Sequence, residues 1–149
     1  PKFQQGGVVF DFIPVPHRDD TSDTHAILIS GEKNRVLFLP DHDDWEQTLK
    51  SVGHTNPNDW FQSLGATYVL LDATFWNGEE LPGRDMKDVP HPTVEDSLER
   101  LQQGGEGGPE IIFIHLNHTN PLNNPNSPES HMIEDAGHSI GQRGWTVEL

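Results

Sequence analysis

The sequence predicts one layered α/β or α+β domain. Short runs of β-branched and aromatic residues recur at 8–15, 26–29, 36–39, 67–71 and 111–116, the pattern of strands. Segments with apolar residues at helical spacing lie between and after them. The strands crowd together first and then alternate with helices, in the order β-β-β-α-α-β-α-β-α-β, with no internal repeat. A length of 149 residues suits a single domain.

Val8 to Val15 reads as a strand closed by Pro14 and Pro16, and Ala26 to Ile29 and Val36 to Leu39 as two more, joined through the turn residues Gly31 to Asn34. Asp43 to Val52 reads as a helix that the Asp residues can cap. Pro57 to Leu64 reads as another, with Asn56 as N-cap and Pro57 at the first position. Thr67 to Leu71 is a buried strand, and Asn77 to Pro92 is a loop rich in Gly and Pro. In Thr93 to Gln102 the apolar Val94, Leu98 and Leu101 fall at helical spacing. A connector, 104–109, leads to the strand Ile111 to Leu116, then the loop Asn117 to Ser127. Pro128 to Ala136 is a short helix ended by Gly137. Ser139 to Gly141 and Trp145 to Val147 can form a last hairpin around Arg143-Gly144.

Composition narrows the function. Hydrophobic residues are 32% of the chain and Gly (14) and Pro (12) are plentiful, so the core is thin, as it would also be if a partner surface were missing. The net charge of −15, from 24 acidic and 9 basic residues, argues against binding nucleic acid or an anionic membrane through a basic face. It suits a high-salt habitat or a simple surplus of solubility. With no Cys, neither a disulfide nor a thiolate metal site can form. No run approaches a membrane span and no signal peptide is visible, which points to a cytoplasmic protein. The chain begins at Pro1 without Met, so the native N-terminus is expected to lie outside it.

Polar clusters follow the apolar runs. Pro16-His17-Arg18-Asp19-Asp20 follows the first strand and Pro40-Asp41-His42-Asp43-Asp44 the third. Asp72-Ala73-Thr74-Phe75 follows the fourth and His115-Leu116-Asn117-His118 the fifth, while His91 stands just before a helix. Ends of separate strands can converge on one sheet edge, where rigid strands fix the geometry that a metal site requires. Imidazole and carboxylate without sulfur suit Zn, Fe or Mn. Each element also has a plainer reading. A lone His after a strand is more often a surface or hydrogen-bonding residue. Asp43 and Asp44 can simply cap a helix. Asp72-Ala73-Thr74 can be an Asx turn. His25, His42, His54, His131 and His138 have no strand-end context and are read as surface residues.

Several long motifs, in order, resemble one family. Residues 16–24, PHRDDTSDT, are similar to the VPHRDExSDT segment of the coenzyme PQQ synthesis protein B family, and residues 37–45, LFLPDHDDW, to its LYLPDxDxW segment. Residues 71–75, LDATF, with ELPGRDM at 80–86 and PHP at 90–92, resemble its LLDGTF, ELPGRDM and PHP run, and HLNHTNPL at 115–122 resembles its HLNHTNPLL. The resemblance runs from about Phe10 to Leu149. It implies the C-terminal half of a metallo-β-lactamase-like αββα sandwich, with the N-terminal half of the fold, and that half's Asp/His ligand motif, absent from these 149 residues.

The same resemblance implies roles. His17, Asp41 and His115 would be metal ligands, Asp41 as the carboxylate that can bridge two ions. His118 would supplement or replace His115. Asp72 is similar to the Glu of the Glu-Ala-Thr-Phe string in ribonuclease Z-like members, and His91 falls where those members place a His that protonates a leaving group, in Pro-His-Pro-Thr rather than Gly-His-Ser-Thr. Asp72 and His91 are thus the catalytic candidates. Arg84 or Arg18 could pair with a substrate carboxylate, or equally form internal ion pairs with Asp85 or Asp19. The implied cofactor is a divalent metal ion, Fe or Zn. The implied activity is iron-dependent hydroxylation of a tyrosine ring in a peptide-derived precursor of pyrroloquinoline quinone. The alternatives are metal-dependent hydrolysis of an ester or phosphodiester, with a small-molecule substrate, and a non-catalytic half-domain. An open apolar face on the strands 111–114 and 69–71 is expected to be covered by a homodimer or by a partner chain supplying the missing half.

Overall fold

The computed structural model describes residues 1–18, 23–80, 83, 89, 91–102 and 107–149. Among the described residues, seven strands form one sheet in sequential order. They are β1 (Lys2–Gln5), β2 (Val8–Val15), β3 (Thr24–Ser30), β4 (Arg35–Leu39), β5 (Tyr68–Asp72), β6 (Glu110–Ile114) and β7 (Ser139–Ile140). The helices are α1 (Trp45–Val52), α2 (Pro57–Ser63), α3 (Val94–Gln102) and α4 (Pro128–Asp135), with one 3₁₀ turn at Pro121–Asn123.

The first four strands pair antiparallel and the last four parallel. Connection length decides which: only two to eight residues separate successive strands from β1 to β4, whereas α1 and α2 carry the chain from β4 to β5, and α3 carries it from β5 to β6. The Gly6-Gly7 turn between β1 and β2 has positive φ at both residues (59° and 85°), as a two-residue hairpin turn demands. This topology places the site. Since β3 runs antiparallel to both β2 and β4, and β4, β5 and β6 run parallel, the carboxyl ends of β2, β4, β5 and β6 share one edge.

Strand alternation divides the sheet into two faces. Ala26, Leu28, Leu37, Leu39, Val69, Leu71, Ile111 and Phe113 are buried and belong to one core with Trp45 and Leu49 of α1, Trp60 and Phe61 of α2, Val94, Leu98 and Leu101 of α3, and Ile133 of α4. All four helices therefore cover the same face. The helix ends are capped as their sequences require. Asp44 accepts from Gln47 N–H, Asn56 from Asp59 N–H and Ser127 from Ser130 N–H. On the opposite face, Phe12, Ile27, Phe38 and Leu70 lie in one register row and Phe10 and Ile29 in the next, all half-buried.

Four features differ from the sequence reading. β1 was not expected, because its KFQQ is fully exposed and carries no apolar alternation. The C-terminal hairpin does not form. Ser139–Ile140 adds in parallel to β6 instead, through the register Ile112↔Ser139 and Phe113↔Ile140, and Trp145 lies edge-on to Tyr68 at 5.7 Å. The open apolar face is centred on β2, β3 and β4 and takes in Leu70 of β5, whereas Val69, Leu71, Ile111, Ile112 and Phe113 are buried. His42 is not a surface residue but has no exposed area, since the turn after Asp41 folds it inward onto Trp45. Among the described residues, no helix is long and apolar enough to cross a membrane.

Candidate metal centre

At the shared edge, each strand end delivers one chemical group. β2 ends at Val15 and places His17 two residues on; β4 places Asp41; β5 ends on Asp72 itself; β6 ends at Ile114 and places His115. The sequence reading ran β6 on to Leu116, but His115 leaves the strand with a left-handed backbone (φ 63°), uncommon outside glycine and less so for His than for most residues. His91 arrives from the segment before α3. Phe75 and Thr93 form an isolated parallel bridge, and Val94 N–H donates to Phe75 C=O (2.9 Å), which fixes this segment beside the end of β5.

The five side chains meet. Asp41 Oδ1 lies 3.6 Å from His115 Nδ1, 3.9 Å from His17 Nε2 and 4.0 Å from His91 Nδ1. Three imidazoles thus crowd one carboxylate oxygen, His115 and His91 with Nδ1 and His17 with Nε2. Asp41, Asp72, His91 and His115 each offer an atom within 4.8 Å of the others. The donor set is nitrogen and carboxylate oxygen with no thiolate, which fits Zn, Fe or Mn. His17 also faces Asp43, with Nδ1 3.7 Å from Oδ1.

Asp72 is the buried anchor, with no exposed area. Its Oδ1 accepts from Thr74 N–H (2.9 Å) and Thr74 Oγ1–H (2.7 Å), and its Oδ2 stands 2.7 Å from His91 Nδ1. The Asx turn and the contact with His91 thus coexist on one carboxylate. Burial pushes the Asp72 pKa up, but His115 and His91 beside it more than reverse this and hold it well below the ordinary carboxylate range. Asp72 in turn raises the pKa of His115 above the ordinary imidazole value, against partial burial and with help from Asp41. The rings of Phe75 and His91 pack in a T-shaped arrangement, with centroids 6.1 Å apart.

The loops are tied to each other. Ala73 N–H donates to Ile114 C=O (2.9 Å) and Asn117 N–H to Thr74 C=O (3.0 Å). The buried Asn120 donates through Nδ2 to Ala73 C=O (2.7 Å). Glu80 joins the two loops, accepting from Trp76 N–H with Oε1 and from Thr119 Oγ1–H with Oε2 (2.8 Å). His118, an expected ligand, stays apart: it is exposed, its Nδ1 lies 3.1 Å from Asn117 Oδ1, and it does not enter the group. Arg18 is exposed with φ 46°. Arg84, Asp85 and Asp19 lie outside the described residues.

Sequence reasoning missed two members of this neighbourhood. Thr74 touches Asp72, His91 and His115. His42, behind the site, bonds through Nδ1 to Thr48 Oγ1 (2.9 Å), and its Nε2 has no hydrogen-bond partner among the described residues. The only available signal for His42 was its place directly after Asp41. A cavity of about 440 Å³ between α4 and β7 is lined by none of these residues.

No family model matches the chain. It is similar to coenzyme PQQ synthesis protein B of Acinetobacter baumannii (26% identical over 144 residues, 90% of this chain and 44% of that protein) and of Methylococcus capsulatus (26% over 152 residues, with the same shares). The chain thus spans less than half the length of these curated relatives. Among solved structures it is similar to Zn(2+)-bound PqqB from Methylobacterium extorquens (TM-score 0.69, 19% identity, 100% of this chain and 53% of that one). It is also similar to the metallo-β-lactamase fold protein YhfI from Bacillus subtilis (TM-score 0.58, 14% identity, 97% and 51%). The mixed sheet and its helices therefore match the metallo-β-lactamase fold over this chain.

Proposed function

We propose that this chain is the half of a metallo-β-lactamase-fold enzyme that supplies His17, Asp41 and His115 to a divalent metal, and that it acts in pyrroloquinoline quinone biosynthesis as its relatives' name states. The observation that carries the reading is the meeting of three imidazoles around Asp41 Oδ1 at the carboxyl edge of the sheet. A divalent ion there supplies Lewis-acid or redox chemistry to the reacting group. The chain's own residues do the rest. Asp41, His17 and His115 would hold the ion, Asp72 orients His91, and His91 holds or delivers a proton at the edge of the site. With iron the chemistry is oxygen-dependent hydroxylation of a tyrosine ring in a peptide-derived precursor.

The Asp72–His91 pair favours a second reading, hydrolysis of an ester or phosphodiester with His91 as general acid. In either case the other half of the fold, from the rest of a longer chain or a partner chain, covers the open face of β2, β3 and β4 and supplies the remaining ligands.

Elemental analysis of the purified protein, with and without His115→Ala, tests the common part. Stoichiometric iron or zinc that is lost in the variant is the expected result, and no bound metal in the protein joined to its missing half overturns it. Iron-dependent oxygen uptake against turnover of a chromogenic phosphodiester then separates the two chemistries.

A further inference from the structure

One hydroxyl stands between the buried carboxylate and both inner histidines. Thr74 Oγ1 is 2.7 Å from Asp72 Oδ1, 3.0 Å from His115 Nδ1 and 3.2 Å from His91 Nδ1, and Thr74 is itself buried. A hydroxyl has one proton to give and two lone pairs. Asp72, ionised, can only accept, and 2.7 Å is the length of a hydroxyl donating to a carboxylate. The Thr74 proton is therefore committed to Asp72, and only lone pairs are left for the imidazoles. At 3.0 Å from such a lone pair, His115 Nδ1 must carry a hydrogen. Its other neighbours, Asp41 Oδ1 at 3.6 Å and Asp72 Oδ1 at 3.9 Å, are acceptors as well. His91 Nδ1 reaches the same state through Asp72 Oδ2 at 2.7 Å.

We infer that Thr74 is a positioning residue which, with Asp72, locks His115 and His91 in the Nδ1–H tautomer, leaving Nε2 as the ring nitrogen of each with a lone pair to offer. This rests on the metal-centre reading for its purpose but not for its test. It divides the compact group by role. Asp72 and Thr74 orient, and the Nδ1 atoms are occupied by hydrogen bonds. The donors left for an ion are the Asp41 carboxylate and imidazole Nε2 atoms, each ring backed by an acceptor as ligand histidines usually are. It also couples the proton-carrying pair Asp72–His91 to the ligand His115 through a single side chain.

The test is a two-bond ¹H–¹⁵N correlation spectrum of the chelator-stripped protein, at a pH that keeps both rings neutral. Wild type and Thr74→Ser are expected to show both rings as Nδ1–H. In Thr74→Val, which keeps the shape and loses the hydroxyl, His115 is expected to revert to the Nε2–H form ordinarily favoured in water, while His91 stays Nδ1–H on Asp72. Zinc affinity should then fall by about tenfold or more in Thr74→Val, and by no more than about twofold in Thr74→Ser. His115 as Nε2–H in the wild type, or unchanged in Thr74→Val, overturns the inference, and the wild-type spectrum decides even if the Val variant does not fold. Nδ1–H rings in a protein that binds no zinc would sink the metal reading and leave the tautomer assignment standing.

Discussion

His91 Nδ1 stands 2.7 Å from Asp72 Oδ2, and that carboxylate has no exposed surface. The pair is built on rigid elements, since Asp72 closes β5 and the His91 segment is pinned to Phe75 just before α3. Asp72→Asn keeps the shape but removes the charge that orients His91. Turnover is expected to fall about a hundredfold or more, the scale of lost general acid–base catalysis, while metal still binds when supplied at saturation, with an affinity lowered by about ten- to a hundredfold as a positioning role implies. No binding even at saturating metal would instead make Asp72 a ligand.

The lowered pKa of Asp72 also sets an acid limb. A carboxylate held below its unfolded value, about 3.9, contributes stability that is fully present above that pH and lost as pH falls through the folded value. Denaturant titrations of Asp72→Asn should show a flatter loss of stability below about pH 4 than the wild type. An identical acid limb in both proteins would remove Asp72 as its source.

A second window belongs to His42. Desolvation lowers its pKa from 6.5 to about 4, with Asp72 opposing and His91 and His17 adding to the shift. As pH falls below 6.5 the unfolded chain takes up this proton and the folded protein does not. Stability is therefore complete above about 6.5 and declines toward pH 4, by about 3 kcal/mol in all. His42→Phe, which fills the same apolar space against Trp45, should show a smaller difference between urea unfolding at pH 7 and at pH 5 than the wild type. Equal differences would refute the assignment to His42.

The sequence was most legible where local chemistry and burial agree. The runs of β2, β4, β5 and β6, the caps Asp44 and Asn56, and the turn at Gly31 to Asn34 follow from residue type alone. So did the idea that His17, Asp41, Asp72 and His115 share an edge, because strand direction fixes which ends coincide. What could not be read locally depends on pairing partners. β1 exists because a neighbouring strand offers its edge, not because KFQQ prefers to be extended, and β7, extended as its sequence suggests, pairs with β6 rather than with a later strand. Thr74 looked like one half of a turn, and only the approach of His91 and His115 from distant segments gives its hydroxyl further neighbours. His42 looked exposed because polarity is a poor guide to burial beside a site that tolerates buried imidazole.

Gly31 tests how the far end of the sheet is held. A Cβ there would press into the backbone and Cβ of Leu149. The same end segment is tied down by Asn34 Nδ2 donating to Glu148 C=O (2.9 Å) and by Lys33 with Glu148 (2.7 Å). Gly31→Ala must displace this segment and is expected to cost about 1–3 kcal/mol, the range for overpacking, measured by urea unfolding. Lys33→Ala removes only an exposed pair and should cost less than about 1 kcal/mol. Equal costs would mean that the close approach at Gly31 does not matter.

The open face makes the last prediction. Phe12, Ile27, Phe38 and Leu70 form a continuous row across four strands, flanked by Phe10 and Ile29 and extended at the edge by Phe3, which is 53% exposed and 6.0 Å from Phe10. Soluble monomers seldom leave so continuous an apolar surface to water, whereas the helix-covered face of the same sheet is closed. Expressed alone, this chain is expected to self-associate through that face, with a weight-average mass that rises above one chain as concentration increases in sedimentation equilibrium. Phe12→Lys combined with Phe38→Lys puts two charges at the centre of the row, outside the helix-packed core, and should hold the protein at one chain's mass with its melting temperature little changed. A wild-type chain that stays a compact monomer at high concentration would show that this face needs no cover, and with it would fall the reason for expecting a second layer.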